Sequence, residues 1–177
     1  YGAHGIVAAI DPETGSYDIL HVASAFDAGT VVNPDAARGQ LIRGMIQGLG
    51  TATVEGYIYD QEGHLLNPNF TDNKIPTAKD IPDKIETFGV ETAQPDGPFG
   101  ARGIAEHPMI SVAPALANAI QSVTKAELTH MPIRYEDVWR AIQNKEPINN
   151  WITRSPYGSC KSAAEVQKHH KERKKKG

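Results

Sequence analysis

The stretch that constrains the fold most is NPDAARGQLIRGMIQGLG, residues 33–50. Asn33, Pro34 and Asp35 supply an N-cap, a proline in the first turn and an acid that the helix dipole favours. We therefore expect a helix that runs from this point to about Glu55. Apolar side chains recur along it at helical spacing, which predicts a face buried against a core: Leu41, Ile42, Met45, Ile46 and Leu49.

A second face of the same helix is nearly bare. Gln40, Gly44 and Gly48 follow one another at intervals of four residues, so they share that face. Each interior glycine costs about 1 kcal/mol relative to alanine, so the pair needs a reason. One reason is a bulky ligand that approaches the helix backbone beside the amide of Gln40. The other is tight packing against a helix or a sheet, and the spacing alone favours packing.

The segments around this helix alternate between strand and helix patterns. Residues 6–10 and 17–23 flank a turn with proline and glycine, which predicts a β-hairpin, and residues 57–59 and 64–66 predict a second one. Residues 85–92 read as a strand, and residues 112–123 and 135–144 as helices. Residues 67–83, punctuated by three prolines, are expected to be irregular. The fold class predicted is α+β, with mixed sheets and packed helices.

Composition excludes several classes of protein. The single cysteine among 177 residues rules out an internal disulfide and any iron–sulfur cluster held by four thiolates of this chain. No apolar run reaches the roughly 20 residues of a membrane span. Of the 18 basic residues, seven lie in residues 161–177, so the rest of the chain is acidic and is not expected to bind nucleic acid. We expect a cytoplasmic protein.

Glu106 is the most suggestive single residue. It closes a glycine-bearing loop, residues 94–108, and precedes an apolar helix. Backbone N–H groups of such a loop can wrap a large polar cofactor, and a carboxylate at its end can act as a base. A surface glutamate favoured by the helix dipole explains the pattern equally well.

Five motifs in order resemble the C-terminal molybdenum-cofactor-binding region of the xanthine dehydrogenase family. They are residues 27–29, residues 33–34, the helix residues 39–50, residues 74–82, and residues 97–106. The resemblance covers about residues 6–142. It implies a molybdenum-dependent oxidoreductase that hydroxylates a purine, another N-heterocycle or an aldehyde with oxygen taken from water.

The resemblance also implies roles for individual residues. Glu106 matches the family's active-site glutamate, the base at the molybdenum site. Gln40 matches a glutamine whose amide contacts the cofactor, and the backbone of Arg102, Gly103, Ile104 and Ala105 matches the segment that lies against it. Two of these positions depart from the family: Ala105 stands where glycine is usual, and Arg102 stands where lysine is common.

Cofactors and partners follow from the same resemblance. Family members carry this region at the end of a much longer molybdenum subunit. We therefore expect an oxidoreductase that acts on a small molecule and is active only with partner chains. The expected partners are another chain that completes the molybdopterin subunit, an iron–sulfur subunit with [2Fe–2S] clusters, and an FAD subunit. The expected cofactor is molybdenum with molybdopterin, in the cytosine dinucleotide form. Residues 1–155 would form the cofactor-binding part, and residues 156–177 a basic tail. The alternative is a non-catalytic scaffold subunit of such a complex.

Other candidate residues have simpler explanations. The scattered histidines are expected to be surface or packing residues, with His107 alone placed to influence Glu106. Ser111 and Ser122 show no triad pattern. Cys160 and the adjacent histidines of the tail carry weak signals for a reactive thiol and for metal binding.

Overall fold

The structure is a computed structural model that describes residues 1–125 and 127–143. The chain divides into two compact units. The first holds Tyr1–Gly56 and the described residues from Lys74 onward, and Tyr57–Asn73 belong to the second. The domain boundary expected at residue 155, the tail and Cys160 lie outside the described residues.

A three-stranded mixed sheet forms the base of the first unit. Strand β1 (Gly2–Ile10) pairs antiparallel with β2 (Tyr17–Asp27), and β3 (Lys84–Val90) pairs parallel with β2 on its other side. The hairpin and the third strand are confirmed. A parallel pair needs a long crossover connection, and helix α1 (Pro34–Thr53) lies in that connection.

Within residues 1–125 and 127–143, three further α-helices follow α1. These are α2 (His107–Ile110), α3 (Val112–Thr124) and α4 (Tyr135–Ile142). The predicted helices at residues 112–123 and 135–144 are confirmed within the described range. A mixed sheet with packed helices confirms the α+β class. Among the described residues, no helix combines the length and the hydrophobicity that crossing a bilayer requires.

Two apolar clusters hold the unit together. In one, Met45 and Leu49 of α1 pack against Val22 of β2 and Val112 of α3. The other is centred on α3 and α4 and contains Tyr17, Ala52, Ala113, Leu116, Ile120, Leu128, Ile133, Val138 and Ala141. The phenol of Tyr17 donates a buried hydrogen bond of 2.6 Å to the carbonyl of Ile133, which ties β2 to the segment before α4.

The opposite face of the sheet carries apolar side chains open to solvent. Val7, Phe88 and Val90 are 54%, 54% and 49% exposed. Their positions in the register place them on one face, because side chains along a strand alternate. Within the described part of the chain, this face is left for another surface to cover.

Among the described residues of the second unit, residues 57–66 form a tight reversal of the chain. One bridge joins Tyr59 to Leu65, and the N–H of Asp60 donates to the carbonyl of His64 at 3.0 Å. The reversal predicted at residues 57–66 is confirmed, but its flanks do not extend into strands because the second segment runs directly into Pro68 and the irregular region.

Candidate active site

Helix α1 supplies one half of the site. Its N-cap is Asn33, whose side-chain oxygen accepts the N–H of Ala36 at 3.0 Å, as the sequence predicted. The helix then presents three long polar side chains along one strip of its surface: Gln40, Arg43 and Gln47. Their spacing of three and then four residues places them on consecutive turns of one face.

Close packing of α1 against α2 brings the other half of the site alongside. A Cβ built on Gly44 would lie 2.6 Å from the Cβ of Pro108, and one built on Gly48 would lie 2.8 Å from the carbonyl oxygen of Met109. Both glycines are buried. The packing alternative is therefore confirmed for this pair, and their bare face receives a helix rather than a ligand.

The loop that precedes Glu106 is anchored to the end of β2. Gly29 has a φ of +64°, and a Cβ there would collide with the carbonyl oxygen of Gly100. The N–H of Arg102 donates to the carbonyl of Ala28 at 2.9 Å. These contacts fix the position of residue 102, where the segment 102–106 begins, relative to the end of β2.

An ion pair strengthens that anchor. Arg102 Nη1 lies 3.2 Å from Asp27 Oδ2, and only 9% of the Asp27 side chain is exposed. The backbone N–H of Gly29 above all, together with the N–H of Thr92 and the charge of Arg102, holds the pKa of Asp27 below its ordinary value. Asp27 is thus an ionised brace between β2 and the loop.

This brace makes stability depend on pH. A carboxyl whose pKa is depressed by folding stabilises the folded state above its unfolded pKa of about 4, and that contribution is lost as the pH falls below it. We expect the melting temperature of the chain to fall less steeply from about pH 5 to about pH 3 in Asp27→Asn than in wild type. Asp18→Asn, exposed on the same strand, should keep the wild-type slope. Equal slopes for Asp27→Asn and wild type would contradict the assignment.

Arg43 joins the two halves of the site. Its guanidinium donates to Gln40 Oε1 at 2.8 Å, to Gln47 Oε1 at 2.9 Å and to the carbonyl of Ala105 at 2.8 Å. The same group reaches Glu106 Oε1 at 3.2 Å. Gln40 and Glu106 therefore both contact one arginine.

The other sequence-predicted residues lie along the same segment. Arg102 and Gly103 line a cavity of about 410 Å³ together with Phe26, His107 and Ser111. Ile104 is half-buried and Ala105 is exposed. Ala105 is not among the residues with positive φ, so alanine fits this backbone without strain.

Sequence reasoning missed Arg43. A signal was available in the spacing of Gln40, Arg43 and Gln47, which places a cation between two amides on one helix face. Nothing in the sequence shows that this face meets Glu106, because 63 residues separate Arg43 from it.

Comparisons with known proteins agree on one family. The family model described as "Molybdopterin cofactor-binding domain" matches residues 1–82. The 6-hydroxypseudooxynicotine dehydrogenase complex subunit gamma of Paenarthrobacter nicotinovorans is 34% identical over 147 residues, which are 81% of this chain and 18% of the relative. The xanthine dehydrogenase molybdenum-binding subunit of Escherichia coli O157:H7 is 35% identical over 116 residues, 65% of this chain and 15% of the relative.

Solved structures extend the likeness to three dimensions. The crystal structure of quinoline 2-oxidoreductase from Pseudomonas putida 86 superposes with a TM-score of 0.75 at 32% identity, over 82% of this chain and 19% of that one. The chain belongs to the molybdopterin cofactor-binding family. It corresponds to one region of a molybdenum-binding subunit and spans less than a fifth of the length of these relatives.

The residues present fit a molybdopterin cofactor. Within the described residues, the backbone N–H groups of Gly103, Ile104 and Ala105 have no hydrogen-bond acceptor, and Arg102 Nε is buried without a partner. A Cβ built on Gly103 would meet no atom within 4 Å. Free N–H donors beside open space suit a ligand rich in acceptor oxygens and nitrogens, as a pterin with its phosphate is.

Ser111 and His4 form a second polar pair in the first unit. Ser111 Oγ lies 2.6 Å from His4 Nδ1, so Ser111 has a histidine partner that the sequence did not predict. Burial lowers the pKa of His4, and no carboxylate is bonded to its other nitrogen among the described residues, so no triad forms.

A cluster in the second unit also brings ligand-type atoms together. Atoms of Asp60, Glu62 and His64 lie within 4.8 Å of one another. Asp60, however, already accepts hydrogen bonds from the backbone N–H groups of Glu62 and His64. The cluster is explained by the turn that it stabilises.

Proposed function

We propose that the chain forms one wall of the molybdenum site of a hydroxylase, in which Glu106 is the base. The overall reaction exchanges a C–H bond for a C–O bond with oxygen from water and releases two protons and two electrons. The observation that supports this is that one arginine, Arg43, contacts both the Gln40 amide and the Glu106 carboxylate. Residues 103–105, directly before Glu106 in the chain, have N–H groups with no acceptor among the described residues.

The molybdenum cofactor, when bound, supplies the acceptor for the two electrons and the site of oxygen transfer. The chain's part is to bind and to move a proton. Glu106 Oε1 faces Arg43, so Oε2 is the oxygen that accepts the proton of the water-derived nucleophile. Gln40 directs its oxygen to Arg43, which leaves its NH2 group as a donor to the cofactor.

The remaining expectations belong to the same proposal. The substrate is a purine, another N-heterocycle or an aldehyde, and the cofactor carries a cytosine dinucleotide. The chain works in the cytoplasm beside the rest of a molybdopterin subunit, an iron–sulfur subunit and an FAD subunit. The exposure of Glu106 and of the apolar sheet face supports a covering chain, and the single cysteine supports clusters held elsewhere.

Metal analysis of the native particle tests the proposal. We expect affinity capture of the chain from its source cells to yield one molybdenum per copy, with iron and flavin on co-purifying chains identified by mass spectrometry. Gln40→Ala should weaken cofactor binding by roughly tenfold, measured as loss of molybdenum during dialysis, because a positioning donor is lost.

Gln121→Ala on the exposed surface of α3 is the matched control and should retain molybdenum like wild type. A native particle that contains the chain but neither molybdenum nor pterin would refute the proposed function.

A further inference from the structure

We propose that Arg43 is the positioning residue that holds Glu106 in the orientation that the reaction requires. The inference rests on the proposed function, and it adds a residue to which that function assigned no role. It starts from the number of groups that a single guanidinium contacts: two amide oxygens, one carbonyl and one carboxylate.

Arg43 is itself held in place by its own helix. Gln40 lies one turn before it and Gln47 one turn after it, and both direct their side-chain oxygens to its nitrogens. A guanidinium donates in a fixed planar fork, so two bonds from the helix determine the direction of the third nitrogen, Nη2. That nitrogen points to the segment 102–106, where it meets the carbonyl of Ala105 and the carboxylate of Glu106.

Glu106 depends on this contact for its orientation. It occupies the N-cap position of α2 with helical backbone angles, and its side chain makes no cap hydrogen bond. Among the described residues, Arg43 is the partner recorded for its carboxylate. Without Arg43, a side chain that is 63% exposed would be free to turn into solvent.

The contribution of the pair lies in geometry more than in stability. Exposed ion pairs contribute little to folding because water screens them. Misplacing a reacting group by about 1 Å, by contrast, can slow turnover by a factor on the order of 10². The loss expected on removing Arg43 is therefore a loss of turnover with a folded protein and a bound cofactor.

A first test needs no cofactor. In ¹⁵N spectra of the full chain, we expect the Nε–H of Arg43 to exchange slowly with water, because it donates a hydrogen bond to the side-chain oxygen of Gln40. In the Gln40→Ala variant, which lacks this acceptor, the Nε–H resonance should shift. The Nε–H of Arg38, exposed on the same helix, serves as the internal reference. Exchange of Arg43 as fast as that of Arg38 would overturn the proposal.

A second test uses the holoenzyme and the substrate found by screening N-heterocycles and aldehydes. Arg43→Met should lower kcat about 10- to 100-fold, with KM and molybdenum content within about twofold of wild type. Arg43→Lys, which keeps the charge without the fork, should recover only part of the loss. Arg38→Met should match wild type.

The outcomes separate this inference from the proposed function. If Glu106→Gln abolishes turnover while Arg43→Met does not lower it, the positioning role is wrong and the function stands. If Arg43→Met loses molybdenum in proportion to activity, Arg43 acts through cofactor retention and the positioning role is again wrong. If Glu106→Gln leaves turnover unchanged, the proposed function itself fails.

Discussion

Glu106→Gln is expected to lower the turnover of the holoenzyme by a factor of about 10²–10⁴, the range that a positioned base contributes. Glutamine keeps the size of the side chain and can still accept a hydrogen bond from Arg43, but its amide does not take up the proton. Molybdenum content should match wild type, because the donors that face the cofactor belong to Gln40 and to the backbone of residues 103–105.

The measurement is steady-state turnover per bound molybdenum, so that incomplete incorporation of the cofactor is not mistaken for a loss of catalytic activity. Glu13→Gln, in the exposed turn between β1 and β2, is the matched control and should have wild-type activity. Full turnover in Glu106→Gln would remove the catalytic role and favour the alternative of a non-catalytic scaffold subunit.

Gly48→Ala is expected to destabilise the chain by about 1–3 kcal/mol, the usual cost of overpacking. The new methyl group would lie 2.8 Å from the carbonyl oxygen of Met109 and 2.8 Å from the side chain of Val112. A backbone carbonyl cannot move aside as a flexible side chain can, so α2 must shift away from α1. Because Glu106 immediately precedes α2, turnover of the holoenzyme should fall as well.

Gly39→Ala is the matched control on the same helix. A Cβ at position 39 meets no atom within 4 Å, so the change should stabilise the helix by about 0.5–1 kcal/mol through backbone propensity alone. Urea unfolding of the two variants measures both effects. Equal stability of Gly48→Ala and Gly39→Ala would show that the seam between α1 and α2 is not tightly packed.

Local elements of the fold were predictable from the sequence because their signals are local. Asn33 caps α1 as its residue type suggests, and the turn with Pro12 and Gly15 joins two antiparallel strands. The parallel pairing of β3 with β2 was not predictable, because it depends on a crossover of more than 50 residues whose path no short pattern encodes.

The candidate site was predictable only in part. The roles of Glu106 and Gln40 came from a family resemblance, since a glycine loop with a terminal carboxylate also suits a plain surface turn. For Gly44 and Gly48 the sequence favoured close packing over ligand binding, but it did not show that α2 is the element that packs against them. Arg43 was missed because its partners Ala105 and Glu106 come close to it only when α2 packs against α1.

The distance in sequence between the halves of the site has a consequence for biosynthesis. Arg43 meets residues 62 and 63 positions later in the chain, and Asp27 meets Arg102 after 75. When α1 leaves the ribosome, the segment that faces it is still untranslated. Long-range closure of this kind is completed late in folding. If the proposed function holds, the surface that receives the cofactor is complete only after residues 102–106 have been synthesised and packed against α1, so we expect cofactor loading to follow folding.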